Sequence, residues 1–167
     1  GYDRFAKTIV FCVDIDHARL VARLLSDEFN ALGLEPYAVP IVAEEGNAPT
    51  WLQQFQDSDR QTPVVATTAE LLSTGVDVPS CRNIVFMKTL SSPVLFKQII
   101  GRGSRVDPAT DKLWFRIIDY TGATYLFDEW DRPPGPPPDT TQGEQTAVLE
   151  GTVVKEESGE LLVGATV

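Results

Sequence analysis

Short apolar runs rich in β-branched residues alternate along this chain with segments whose apolar residues recur every three or four positions, and that alternation leaves few folds open. Lys7-Thr-Ile-Val-Phe-Cys-Val13 reads as a buried strand, and a second strand is expected near 37–43. Between them Ala18, Val21, Leu25, Phe29 and Leu32 form one apolar helical stripe, which Asp14 or Asp16 can cap and Gly33 is placed to end. A short helix over 48–56 has Trp51, Leu52 and Phe55 as its apolar side. Pro63-Val-Val-Ala-Thr67, Asn83-Ile-Val-Phe-Met87 and Leu113-Trp-Phe-Arg-Ile-Ile-Asp119 read as three more strands. Ser92 and Pro93 make an N-cap and first-turn pair for a helix running toward Gly101. Strands this uniformly apolar are covered on both faces, so the expected fold is α/β with a mostly parallel sheet. In such sheets ligands meet loops beyond the carboxyl ends of the strands. Thr67 and Thr68 sit there, and the loop to Asp77 is expected to extend the same edge.

The 167 residues suffice for one such domain and a tail. Residues 1–128 form the expected domain, 129–140 a proline-rich linker containing Arg132-Pro-Pro-Gly-Pro-Pro-Pro138, and 141–167 an acidic tail with a candidate β-hairpin around a Glu-Ser-Gly turn. The net charge of −10 argues against a nucleic-acid partner only until its distribution is seen. Residues 129–167 carry eight acids against Arg132 and Lys155, whereas 82–116 carry seven basic residues against Asp107 and Asp111. A basic surface can therefore exist around 98–105. Cys12 and Cys81 offer neither a metal-ligand spacing nor a disulfide framework, and reduced thiols of a cytoplasmic protein are expected. His17 has no second ligand around it and reads as structural; no metal site is expected. No apolar run approaches the roughly 20 residues that cross a bilayer, so a soluble protein without a membrane partner is expected.

Two segments carry chemistry. In Gln98-Ile-Ile-Gly-Arg-Gly-Ser-Arg105, Arg102 and Arg105 lie three apart at a helix end, a spacing that can present two guanidinium groups to a polyphosphate, or simply leave two arginines paired with acids such as Asp107. In Thr67-Thr-Ala-Glu-Leu-Leu-Ser-Thr-Gly-Val-Asp-Val-Pro79, Gly75 and Asp77 suit either a tight turn or an approach to a ribose whose hydroxyls the carboxylate accepts. Thr67 and Thr68 suit strand-end capping or contact with a nucleic-acid phosphate. Phe11 reads as core, and Ser91 and Ser92 as cap residues that could alternatively touch DNA.

In order and spacing these strings resemble motifs V and VI of superfamily 2 helicases and translocases. With Lys7-Thr-Ile-Val-Phe-Cys12 before them and Phe115-Arg-Ile-Ile-Asp-Tyr120 after, residues 5–128 look most like the second, C-terminal RecA-like domain of the motor (R) subunit of type I restriction enzymes (HsdR). Ser104 stands where that family more often has threonine. The resemblance implies a three-layer α/β/α RecA-like domain, Arg102 and Arg105 as arginine fingers, Gly75, Asp77 and Gln98 at ATP, and Thr67 and Thr68 at the DNA backbone. It implies ATP and Mg2+ as cofactors, and as partners duplex DNA, an N-terminal RecA-like domain, a nuclease domain, and specificity and methyltransferase subunits. The chain has no phosphate-cradling Gly-x-x-x-x-Gly-Lys-Ser/Thr loop and no acidic pair for magnesium. ATP and Mg2+ would therefore be held mainly by a first motor domain absent from this chain, and the fragment alone is expected to be inactive. Two alternatives stay open: another superfamily 2 helicase, of the type III restriction or repair kind, and a non-catalytic scaffold module.

Overall fold

The computed structural model of the chain describes residues 3–30, 32–69, 78–108 and 111–128, and the backbone of 152–155 and 161–164. Five strands, β1 (Thr8–Phe11), β2 (Ala38–Pro40), β3 (Val65–Thr68), β4 (Asn83–Phe86) and β5 (Trp114–Asp119), lie parallel in the order β2-β3-β1-β4-β5. Beyond β5 the sheet continues through β7 (Leu161–Gly164) and then β6 (Thr152–Lys155), both antiparallel to their neighbours. The proline-rich linker and the expected turn at 157–159 lie outside the described residues.

Successive residues of a strand point to opposite faces, so a strand buried on both sides must be apolar throughout. In β1 and just after it, Ile9 and Phe11 join one core while Val10 and Cys12 join the other. Helix α1 (Ile15–Asn30) covers the second face through Ala18 and Ala22. Helices α2 (Ala48–Gln56) and α3 (Pro93–Gly103) cover the first, where Phe55, Phe96 and Ile99 meet Phe11, Ile84, Phe86 and Phe115. The result is the three-layer α/β/α arrangement of a RecA-like domain. Phe11 stacks on Phe86 at 5.7 Å, which makes it a core residue.

Local chemistry sets the element ends. Asp14 caps α1, its Oδ1 accepting the His17 N–H at 2.8 Å, while Asp16 pairs with Arg19. His17 Nδ1 accepts the Val13 N–H at 3.3 Å, a structural task. Leu32 departs from the expected stripe: α1 stops at Asn30, and Leu32 is exposed in the turn that Gly33 takes at φ +71°. Ser92 caps α3 by accepting the Leu95 N–H at 3.3 Å, and Pro93 opens the helix. The helix runs two residues past Gly101, because Gly103 lets its end press onto the sheet. A Cβ at Gly103 would collide with the Ile84 side chain. Cys12 and Cys81 are buried free thiols, each with its pKa pushed up to about 11, first by burial, so neither is a nucleophile near neutral pH.

Candidate functional site

The strands have a carboxyl and an amino edge, and the first chemical segment leaves from the carboxyl one. At the carboxyl ends, β3 finishes at Thr67 and Thr68, both buried. The Thr67 hydroxyl donates to the Ala18 carbonyl of α1 at 2.7 Å, so this side chain pins a helix to the sheet and faces no solvent. The Thr68 carbonyl accepts the Cys12 N–H at 2.7 Å. Lys88, just past β4, donates from Nζ to the Ala69 carbonyl at 2.8 Å and places an ammonium beside the end of β3.

Asp119 organises the neighbouring loop. Its Oδ1 accepts the N–H groups of Thr121 and Gly122 at 2.9 Å, and its Oδ2 accepts both the N–H and the hydroxyl of Thr124 at 2.8 Å. Thr121 in turn donates its hydroxyl to the Lys88 carbonyl at 2.8 Å, tying this loop to the one after β4. Burial by itself would raise the Asp119 pKa, but hydrogen bonds from Thr124, Thr121 and Ala123 outweigh it and lower the value below 3.8. A carboxyl lowered on folding stabilises the fold above its unfolded pKa, and that stability is lost as pH falls through the folded value. Asp119→Asn is therefore expected to cost about 2 kcal/mol at neutral pH, the scale of hydrogen bonds to a charged group. The gap to the parent in urea unfolding should narrow once the pH drops below 3.8.

The arginine segment lies at the opposite, amino edge. Helix α3 runs back against the strand direction, so its last residues come down beside Ile84 and Phe115, near the starts of β4 and β5. Gln98 is exposed in α3, four positions before Arg102, and Arg105 is exposed two positions past the helix end. The Arg102 backbone is helical. Gly75 and Asp77 lie outside the described residues, but the chain that follows them returns at this edge. Pro79 sits four positions before β4, and Lys112 Nζ donates to its carbonyl at 2.9 Å and to the Gly103 carbonyl at 2.8 Å. The expected extension of the carboxyl edge as far as Asp77 falls on residues 70–77, outside the described residues. Ala69 leaves the carboxyl edge and Pro79 arrives at the amino edge, separated by the length of a four-residue strand, about 13 Å.

The residue pattern of Lys7, Lys88 and Lys112, three lysines at strand ends, carries no sign of the carbonyls they bind. Lys112, which is 1% exposed, and Lys7, which is 6% exposed, each precede an apolar run and spend their ammonium groups on carbonyls, Lys7 on that of Pro63 at 2.8 Å. Burial lowers the Lys7 pKa, partly offset by Asp57. A lysine abutting a strand start was the one available signal, and alone it says nothing about partners. Among the described residues, no cluster of three or more His, Cys, Asp or Glu side chains could hold a metal ion, and no helix is long and apolar enough to cross a membrane.

No protein-family model matches the chain. Over 145 residues it is 40% identical to the type I restriction enzyme EcoAI endonuclease subunit of Escherichia coli, covering 81% of this chain and 17% of that protein. Over 118 residues it is 34% identical to the EcoKI endonuclease subunit of Escherichia coli strain K12, covering 68% of this chain and 10% of that protein. Among solved structures it is similar to a fragment assigned to the HsdR subunit of a type I restriction enzyme from Vibrio vulnificus YJ016. The TM-score is 0.72 and the identity 47%, over 77% of this chain and 26% of that one. The chain therefore spans well under a third of each relative.

Proposed function

We propose, from the premise that this chain is a RecA-like helicase C-terminal domain most like that of type I restriction enzyme R subunits, that it is the second half of an ATP-driven motor acting on duplex DNA. The observation that carries this reading is the Lys112 bridge, which gathers Pro79, at the end of the 67–79 segment, and Gly103, near the end of the 98–105 segment, at one sheet edge. A half-site for a nucleotide shared between two domains needs both at one cleft.

In this reading a first motor domain binds ATP and Mg2+, and Arg102 and Arg105 face the γ-phosphate from across the cleft. Gly75 and Asp77 meet the ribose, and Gln98 lies alongside. A guanidinium placed beforehand stabilises charge on the transferring phosphoryl without reorganising, and its planar fork matches phosphate oxygens. The opposite edge, with Thr68, Ala69 and Lys88, faces the DNA backbone. Contacts of this kind hold a track without reading its sequence. Thr67 acts there through its backbone and through its hold on α1. Closing the cleft at one edge and shifting the grip at the other couples hydrolysis to movement. The nuclease domain and the specificity and methyltransferase subunits are the partners this reading implies.

The test is ATP hydrolysis, with and without duplex DNA, by the longest natural polypeptide containing this chain and by the 167-residue chain alone. The expected result is duplex-stimulated hydrolysis by the former and none by the latter. A long polypeptide that hydrolyses no ATP in the presence of duplex DNA would exclude the motor and favour a scaffold.

A further inference from the structure

We propose that Lys112 is a positioning residue that sets the register between the two nucleotide-facing segments, an inference that rests on the motor reading above. Its Nζ binds the carbonyls of Pro79 and Gly103 at 2.9 and 2.8 Å. Pro79 lies two residues after Asp77, and Gly103 two residues before Arg105. One ammonium therefore fixes a point just beyond the candidate ribose contact and a point just before the candidate arginine finger.

The lysine is itself held firmly. Its backbone exchanges two hydrogen bonds of 3.0 Å with Asp107. On the other side Gly103 lies close against the sheet, where a methyl group would collide with the Ile84 side chain. Burying an ammonium is costly, and an apolar chain of similar length would fill the same space without that cost. The cation contributes directional donors that span two separate backbone segments. Misplacing a catalytic group by about 1 Å can cost about a hundredfold in rate, so a clamp at this point has leverage over turnover.

Lys7 provides the internal control. It is also a buried lysine at the amino edge, donating to the Pro63 carbonyl and lying 5.4 Å from the Phe55 ring centroid, and its ammonium bonds to no described residue of either segment. In the longest natural polypeptide, kcat and KM for duplex-stimulated ATP hydrolysis are measured for the parent, Lys112→Met, Lys7→Met and Arg105→Ala, and for each lysine variant combined with Arg105→Ala. Lys112→Met is expected to lower kcat about tenfold to a hundredfold. Combined with Arg105→Ala it should be no slower than Arg105→Ala alone, because a residue acting through the finger has nothing left to position. Any loss from Lys7→Met should instead multiply with that of Arg105→Ala. If Lys112→Met does not fold, Lys112→Gln, which keeps a donor for one carbonyl, is read in the same cycle. A lysine-112 variant within about threefold of the parent, or one whose loss multiplies with that of Arg105→Ala, overturns the inference while leaving the motor reading intact. An Arg105→Ala variant of full activity removes Arg105 from the reaction and this inference with it, whereas a parent without duplex-stimulated ATPase activity removes the motor reading as well.

Discussion

Arg105→Ala in the longest natural polypeptide is expected to lower duplex-stimulated ATP turnover about a hundredfold to a thousandfold while changing KM for ATP far less. The asymmetry follows from where the charge develops. An arginine finger does most of its work as the phosphoryl group leaves, so its removal raises the barrier more than it weakens the ground-state complex. Arg105 is exposed just past the end of α3, on a segment held from below by Gly103 and Lys112, so truncating it removes a guanidinium without opening a core. The fold should survive, and the melting temperature of the variant should match the parent. Arg105→Lys should recover little, because an ammonium keeps the charge and loses the fork. Turnover within about threefold of the parent for Arg105→Ala would remove Arg105 from the reaction.

Phe96→Ala should have the largest structural effect, a loss of about 3–5 kcal/mol in denaturant unfolding. Phe96 is fully buried, 5.8 Å from the Phe86 ring and edge-on to Phe127 at 4.8 Å. It is the point where α3 and the 3-10 turn Ala123–Phe127 meet the sheet. Truncation loses the transfer energy of the ring and leaves a cavity that a β-sheet floor cannot collapse to fill. Domains of this size are stable by only about 5–15 kcal/mol, so the variant should approach the unfolding threshold. Because α3 also carries Gln98, Arg102 and the approach to Arg105, loosening it should disturb the proposed nucleotide edge before the domain melts. Tyr125→Ala in the same turn is the control: Tyr125 is 73% exposed and should shift stability by no more than about 0.5 kcal/mol. A loss for Phe96→Ala no larger than that of Tyr125→Ala would contradict the packing described.

Much of the fold was legible because its signals are local. Ile9 to Cys12 are apolar in succession because both faces of β1 are covered, and Ala18, Val21, Leu25 and Phe29 recur at helical spacing because one side of α1 is covered. The Ser92-Pro93 start of α3 was equally plain, since a cap bonds within its own turn. The choice between Asp14 and Asp16 was not, because both types can cap and only the backbone path decides which carboxylate reaches His17. The candidate site divided in the same way. Gln98, Arg102 and Arg105 stand out as residue types at a spacing, whereas Thr67 looked like a strand-end hydroxyl free to meet a ligand until α1 was seen to take it.

The sequence by itself determined a three-layer α/β/α domain with a mostly parallel sheet, and it singled out two strings whose chemistry suits a nucleotide. Only the tertiary structure decided that the first string leaves from the carboxyl edge, and that Lys112 draws its far end at Pro79 against Gly103, near the end of the second. The reason is separation along the chain. A strand run or a cap shows itself within one or two turns, but Lys112 reaches carbonyls 33 and 9 positions away, and backbone carbonyls carry no residue identity by which such a partner could be read.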